Sequence, residues 1–341
     1  MRRISTIVLL FFAASLCISA QKDIPGEITI IYYNTGDLFD THDNRADADD
    51  EYLPGSIKAW DKKRYEEKIS DVARNLAFST GSKRPAVIGL AGIENKNVIN
   101  DILSERRLRR ADYHINITDK HGTNIALLLN KDIAGEGDMT MIKIDTSFIP
   151  EKDQDTYGII YVKADIRGPG SCHFFLNYWP GMENRRMAPE NYRMGAAIAL
   201  RKKIDEILNF ERNARIIIMG TFFDEPTQRS LYSVLNAGNK RRNISNRDLY
   251  NLYYDRHNID GLGTTRINGM WQMWDQIILS SSLVNSSRDW HCEYGSAGIF
   301  FPEDVEEDIS RLGSTYEGNE YSGKTSAHLP VFCVLKRRSD K

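Results

Sequence analysis

Cysteine is scarce in this chain, with 4 residues among 341. Cys17 lies near the N-terminus, and the others are Cys172, Cys292 and Cys333. None of them has the C-x-x-C spacing that is typical of a zinc site or a dithiol redox motif. In an exported protein, the last three cysteines permit one disulfide and leave at least one thiol over. The sequence therefore indicates neither a disulfide scaffold nor a structural zinc centre.

Long apolar runs are missing beyond the first 20 residues, so no other stretch suits a transmembrane helix. Residues 1–20 begin with two arginines, continue as an apolar run and end in small residues, which is the layout of a secretory signal peptide. Leu16 is bulky where a lipoprotein cleavage site before Cys17 needs a small residue, which argues against a lipid anchor. We predict a signal peptide over 1–20 and an exported protein that is periplasmic, displayed at the cell surface or secreted.

The chain also has no excess of charge of one sign. Without residues 1–20 it carries 43 basic and 47 acidic residues, a balance that gives no general attraction to nucleic acid. We interpret the basic clusters at 106–110 and 240–242 as solvated surface rather than phosphate-binding patches. Linkers rich in Pro or Ser, repeats and low-complexity tracts are absent, so we expect one domain over 21–341.

Strand-like runs outnumber helix-like ones in the rest of the chain. Apolar spacing predicts helices over 60–76, 97–108 and 189–210. Runs rich in β-branched and aromatic residues predict strands at 27–34, 85–93, 123–130, 157–166, 172–180, 216–219, 270–280 and 326–335. Many strands with few long helices favour mixed or antiparallel sheets covered by helices. The acidic stretch 40–55 lacks the register of a calcium loop, so we interpret it as a solvated loop.

Six segments near the ends of these strands carry a more specific signal. In chain order they read YYNTGDLFDT, VIGLAGIEN, FLNYWPG, IMGTFFDEP, WDQIILS and SAHLPV. They closely resemble the signature segments of the endonuclease/exonuclease/phosphatase superfamily, which includes deoxyribonuclease I, and above all its exported bacterial branch. The resemblance covers about residues 28–335. It implies an α+β fold in which two packed mixed β-sheets are flanked by helices, a four-layer α/β/β/α sandwich with the site at one edge.

The resemblance also implies a chemistry, metal-assisted hydrolysis of phosphate esters. In the family an Asn and a Glu hold a divalent cation, an Asp activates water, an Asn and a His stabilise the developing charge, and an Asp/His pair completes the pocket. Hard oxygen ligands suit magnesium, and hydrogen-bond donors suit the phosphate.

Most of these groups are replaced in this sequence. The substituted family positions are Gly92 for the metal-binding Glu, Tyr178 for a His, Thr221 for the water-activating Asp, Phe223 for the Asn and Ala327 for an acid. Gly181 and Met182 replace a Ser/Arg pair, and residues 121–124 replace an RGID segment. The retained family positions are Asn34, Asp275 and His328. In GTFFDEP, the surviving residues Gly220, Asp224, Glu225 and Pro226 are expected to turn the chain and start the next helix.

Two hypotheses follow from this pattern. The first is a non-catalytic exported protein with no cofactor, whose former cleft is filled by Tyr178 and Phe223. Its partner would be a protein, a glycan or a phosphorylated ligand, and nucleic acid is not expected. Under this hypothesis Asp275 and His328 form a structural hydrogen bond.

The alternative is a divergent phosphodiesterase, nuclease or phosphatase that uses magnesium or manganese at a relocated site. Glu94 lies two residues past Gly92, so it would share a strand face with that position and offer a new carboxylate. The catalytic set would be Asn34, Glu94, Asp224, Asp275 and His328, with Asn34, Glu94 and Asp275 as metal ligands. In either case, the family fold predicts that Asn34, Gly92, Tyr178, Thr221, Asp275 and His328 converge at one edge.

Overall fold

The computed structural model describes residues 24–43, 50–79, 84–119, 122–145, 158–183, 186–285 and 287–338. The helices are α1 (Lys62–Phe78), α2 (Lys96–Ser104), α3 (Glu190–Phe210), α4 (Tyr254–Asn258) and α5 (Glu303–Glu307). Short 3₁₀ turns cover Asp50–Tyr52, Ser281–Leu283 and Ile309–Arg311, and one π-helical turn covers Ser230–Val234. No helix in these ranges is long and apolar enough to cross a bilayer. The predicted signal peptide at 1–20 lies outside the described residues.

The strands are β1 (Glu27–Leu38), β2 (Val87–Ile93), β3 (Tyr113–Ile117), β4 (Asn124–Asn130), β5 (Asp138–Ile142), β6 (Gly158–Ile166), β7 (Gly170–Tyr178), β8 (Met182–Glu183), β9 (Arg186–Met187), β10 (Arg215–Thr221), β11 (Ala237–Gly238), β12 (Leu249–Asn251), β13 (Thr265–Ile267), β14 (Met270–Gln272), β15 (Asp275–Ser280), β16 (Trp290–Ile299), β17 (Tyr316–Glu317), β18 (Glu320–Tyr321) and β19 (Val331–Arg337). The first large sheet has the order β16-β19-β1-β2-β4-β3, and the second has the order β11-β12-β15-β10-β7-β6-β5. Both are mixed, because β1 runs parallel to β2 and β10 runs parallel to β7 among antiparallel neighbours.

Apolar side chains fill three layers between these elements. Ile30 and Tyr32 on β1 belong to the core between the two sheets, whereas Ile31 and Tyr33 belong to the core under α1 and α2. Successive strand residues point to opposite faces, so one strand serves both cores. A third core, which includes Leu200, packs α3 against the second sheet. The layers are therefore helices, sheet, sheet and helix, which confirms the predicted α/β/β/α sandwich.

Helix α1 shows how local sequence sets this arrangement. The Asp61 side chain accepts a hydrogen bond from the Arg64 amide at 2.9 Å and caps the helix. The buried face contains Tyr65, Ile69, Val72, Ala73 and Leu76, as their spacing predicts.

Helix α2 ends at Ser104, earlier than predicted, because Glu105 already has the extended backbone angles φ −57° and ψ 142°.

Several strand predictions need correction, among them the run 326–335, in which the strand begins only at Val331. The predicted strand 270–280 is divided into β14 and β15, because β14 pairs only with β13 while β15 pairs with β10 and β12. Strand β16 was missed because its sequence, WHCEYGSAGI, contains two glycines and polar residues. Its pairing with β19 shifts register between Cys292 and Ala297, so the usual alternation is broken there.

Candidate functional site

Three neighbouring strands of the second sheet end at the same edge. In the ladders Thr221 lies opposite Tyr178 on one side and opposite Asp275 on the other. Directly opposed residues share a face, and these three face the first sheet, as do Ile277 and Met219 along the same strands. Asn34 reaches Thr221 from β1 of the first sheet. Residues from widely separated segments, which the family resemblance places in one site, therefore meet between the two sheets.

The Thr221 hydroxyl is the centre of this arrangement. It donates to Asp275 Oδ1 at 2.5 Å and accepts from Asn34 Nδ2 at 3.1 Å. Tyr32 OH lies 2.8 Å away and donates to it, because the single threonine proton is already used. All four residues are buried. The hydroxyl thus has no remaining donor, and both of its acceptor positions are filled.

Tyr32 was missed by the sequence analysis. Its phenol is fully buried, and burial together with the Asp275 carboxylate raises its pKa well above the ordinary value, so it stays a neutral donor. The available signal was its position two residues before Asn34, which places both side chains on one face of β1.

Asp275 and His328 form the expected pair. His328 Nδ1 lies 2.7 Å from Asp275 Oδ2, and its side chain is only 11% exposed. The backbone amides are also fixed, with Asp275 N donating to Thr264 Oγ1 and His328 N donating to Ser326 Oγ. Both carboxylate oxygens of Asp275 are therefore occupied by protein partners.

Phe223 covers this network with an aromatic ring. Its centroid lies 5.5 Å from the Tyr178 ring, 5.2 Å from Trp274 and 6.4 Å from the His328 ring. Phe223 has φ +50°, a left-handed conformation that asparagine adopts more readily than phenylalanine. The ring also fills the space above Gly181, where an added Cβ would lie 2.4 Å from it. The substitutions at these two family positions are therefore sterically matched.

Trp274, a member of this aromatic cluster, is the second residue that the sequence analysis missed. It directly precedes Asp275 and is 6% exposed. Ala327, the other substituted position in this region, is half-buried beside His328 and brings no acid to the pair.

Gly92 lies where the chain leaves no room for a side chain. It has φ +76°, and an added Cβ would lie 1.9 Å from the carbonyl oxygen of Gly36. The β1–β2 pairing shifts register here, and Thr35 Oγ1 lies 3.0 Å from Ala91 O and 3.2 Å from Gly92 O. The backbone of β1 therefore occupies the direction in which a metal-binding side chain would have to start.

Glu94, the proposed relocated ligand, is 2% exposed and accepts a hydrogen bond from the Asp40 amide at 2.6 Å. Its carbonyl accepts from Asn124 Nδ2 at 2.7 Å. The carboxylate thus holds the chain that follows β1. Asn124 is the last residue of the segment 121–124, which replaces the family's RGID segment. His121, the first residue of that segment, lies outside the described residues.

Asp224 forms a buried ion pair instead of a helix cap. Its Oδ1 accepts from Arg193 Nε of α3 at 2.7 Å, and its Oδ2 accepts from Ser230 Oγ at 2.5 Å. Burial outweighs both partners and raises the pKa of Asp224. The expected helix at Pro226 is wrong: the Gln228 amide donates to the Glu225 carbonyl in a tight turn, and the π-helical turn begins only at Ser230.

The donor groups present do not fit a divalent cation. The two oxygen donors that meet at the edge, Asn34 and Asp275, already bind protein partners, and Gly92 supplies no carboxylate. Among the described residues, no three His, Cys, Asp or Glu side chains are grouped so that they could hold a metal ion. A cavity of about 20 Å³ beside Gly92 and Tyr178 has room for little more than one water molecule.

Comparisons with known proteins agree with this architecture. A family model described as "Endonuclease/Exonuclease/phosphatase family" matches residues 29–337. Similar solved structures include D. rerio TDP2 complexed with single strand DNA product (14% identity, TM-score 0.56, covering 92% of this chain and 100% of that one). The human Nocturnin catalytic domain is also similar, with 13% identity and a TM-score of 0.55, covering 93% of this chain and 96% of that one. An endonuclease/exonuclease/phosphatase family protein from Bacteroides thetaiotaomicron has 14% identity and a TM-score of 0.53, covering 92% of this chain and 98% of that one. No curated protein matches the sequence significantly.

Proposed function

Because the chain belongs to the endonuclease/exonuclease/phosphatase family, we propose that it is a non-catalytic member of this family that serves as a binding or assembly module. In this proposal the protein is exported through the segment 1–20, and its partner is a protein, a glycan or a phosphorylated ligand. The proposal rests mainly on Thr221, which stands at the position of the family's water-activating Asp. Its hydroxyl already makes three hydrogen bonds, to Tyr32, Asn34 and Asp275.

Two physical arguments support the loss of hydrolysis. A threonine hydroxyl has no useful basicity near neutral pH, and this one directs its only proton to Asp275. Phe223 offers no hydrogen bond to a phosphate, and the loss of one such donor typically lowers the rate about 10²–10³-fold. Base, donor and metal ligand act as a unit, so their separate losses should not be multiplied, but little turnover would remain.

A second candidate function is a divergent phosphoesterase that depends on magnesium or manganese. The observation that favours it is the survival of Asn34, Asp275 and His328 within one hydrogen-bonded network. For this activity Asp275 and Glu94 would have to coordinate a cation in addition to, or in place of, their hydrogen bonds to Thr221 and to the Asp40 amide. Phe223 would also have to move to admit a substrate.

Metal binding separates the two candidates. Titration of Mg²⁺ and Mn²⁺ into the purified protein is expected to give no saturable heat by calorimetry, because the oxygen donors are already engaged. The matched control is Asp275→Asn, which keeps the shape of the side chain and removes its charge. Circular dichroism checks that this variant is folded. Saturable binding in the parent protein that disappears in Asp275→Asn would favour the phosphoesterase instead.

A further inference from the structure

Two cysteines lie on neighbouring antiparallel strands of the first sheet. In the ladder between β16 and β19, Cys292 is opposite Leu335 and Cys333 is opposite Ala297, with the register shift between the two pairs. Cys333 and Leu335 are two residues apart and share a face. Both cysteines belong to the core between the sheets and are fully buried. The strand geometry therefore places their side chains on the same side of adjacent strands.

The two thiols are neighbours in the core between the sheets. Ser296 Oγ in the bulge lies 3.2 Å from Cys292 Sγ. The neighbouring Cys333 thiol lowers the pKa of the Cys292 thiol, with a smaller contribution from the Arg241 guanidinium. The Cys292 thiol and burial raise the pKa of Cys333 well above its ordinary value.

Cys172 provides the internal contrast. It lies on β7 of the second sheet, opposite Ala164 and Arg215, and burial raises its pKa to about 12. It is a buried thiol without a cysteine opposite it.

We propose that Cys292 and Cys333 form a disulfide when the chain folds in an oxidising compartment, while Cys172 stays a thiol. The export part of the proposed function supplies that compartment. The oxidant is a small or protein-borne disulfide. The Cys292 thiolate attacks one of its sulfurs and releases one thiolate. Cys333 then loses its proton, its sulfur attacks the Cys292 sulfur, and the second thiolate leaves. Two thiols thus lose two electrons and two protons, and the disulfide of the oxidant is reduced to two thiol groups.

This bond would close the chain between 292 and 333, the part that contains α5, the β17–β18 ribbon and His328. Because both sulfurs are fully buried in the folded protein, exchange should occur before the two sheets pack. The bond would therefore fix the two ends of the segment that presents His328 to Asp275.

The test is refolding of the full chain in a mixture of oxidised and reduced glutathione, followed by alkylation in denaturant and non-reducing peptide mapping. Trypsin should release peptide 289–311 linked to peptide 325–336. The peptide 168–185, which contains Cys172, should be alkylated. Alkylation of both Cys292 and Cys333, or a linked peptide that contains Cys17 or Cys172, would overturn the proposal.

Single variants provide the matched controls. In the oxidised parent and in Cys172→Ala, reduction should lower the melting temperature by on the order of 5 °C. In Cys292→Ala and Cys333→Ala, reduction should leave the melting temperature unchanged. If either variant fails to fold, the peptide map of the parent protein still decides the question. A failure of this prediction leaves the metal titration unaffected, so the disulfide and the non-catalytic proposal are tested separately.

Discussion

Substitution of Gly92 by alanine is expected to destabilise the protein by at least about 4 kcal/mol, an exceptionally large loss for one methyl group. Its φ of +76° is unfavourable for any L side chain, and the added Cβ would lie 1.9 Å from the Gly36 carbonyl oxygen. A backbone atom cannot move aside as the tip of a flexible side chain can. Urea unfolding followed by tryptophan fluorescence measures the loss as a lower midpoint at similar slope.

Gly261 provides the control for Gly92. It has a similar φ of +68°, but no atom lies within 4 Å of its added Cβ. Gly261→Ala should cost only the backbone strain, about 1–2 kcal/mol. Equal losses in the two variants would show that β1 does not obstruct position 92. The same obstruction implies that Gly92→Glu cannot restore the metal-binding carboxylate by itself.

Thr221→Val is the second substitution with a large expected effect, a loss of about 3–6 kcal/mol. Valine keeps the volume but removes the hydroxyl, so Tyr32 OH, Asn34 Nδ2 and Asp275 Oδ1 each lose a buried partner. A buried polar group left without a partner costs about 1–3 kcal/mol, and more when it is charged. Equilibrium unfolding in urea again measures the change.

Thr221→Ser is the matched control, because it keeps the hydroxyl and removes one methyl group, at a cost of about 1 kcal/mol. A double variant, Thr221→Val with Tyr32→Phe, should lose less than the sum of the single losses, since both members of one hydrogen bond are gone. If valine and serine are tolerated equally, the threonine hydroxyl does not hold the network together.

The fold could be predicted from sequence because its signal is repeated along the chain. Six strand-end segments occur in the family order, and the nearly continuous apolar run in β1 is a direct consequence of its two buried faces. The Asp275–His328 pair was predictable for the same reason, since both residues are retained in segments that meet at one edge. Strands with weak apolar patterns were not predictable, and exposed β5 and bulged β16 are the examples.

The state of the site could be predicted only in part, because it depends on pairwise contacts between distant residues. The sequence indicates that Gly92 and Thr221 replace catalytic groups. It does not indicate that the Gly36 carbonyl leaves no room for a side chain at Gly92, or that Tyr32 donates a hydrogen bond to the Thr221 hydroxyl. Likewise, nothing in either segment alone matches the Phe223 ring to the missing side chain of Gly181.

We propose that this chain keeps the fold of its family without the metal-dependent chemistry, and a hydrolysis assay is the sharpest test of this proposal. Plasmid DNA and a chromogenic phosphodiester are incubated with the parent protein, Asp275→Asn and His328→Ala in the presence of Mg²⁺ or Mn²⁺, with and without a chelator. We expect the same background rate of hydrolysis in every sample. Hydrolysis by the parent protein that the chelator abolishes, and that both variants lose, would contradict it.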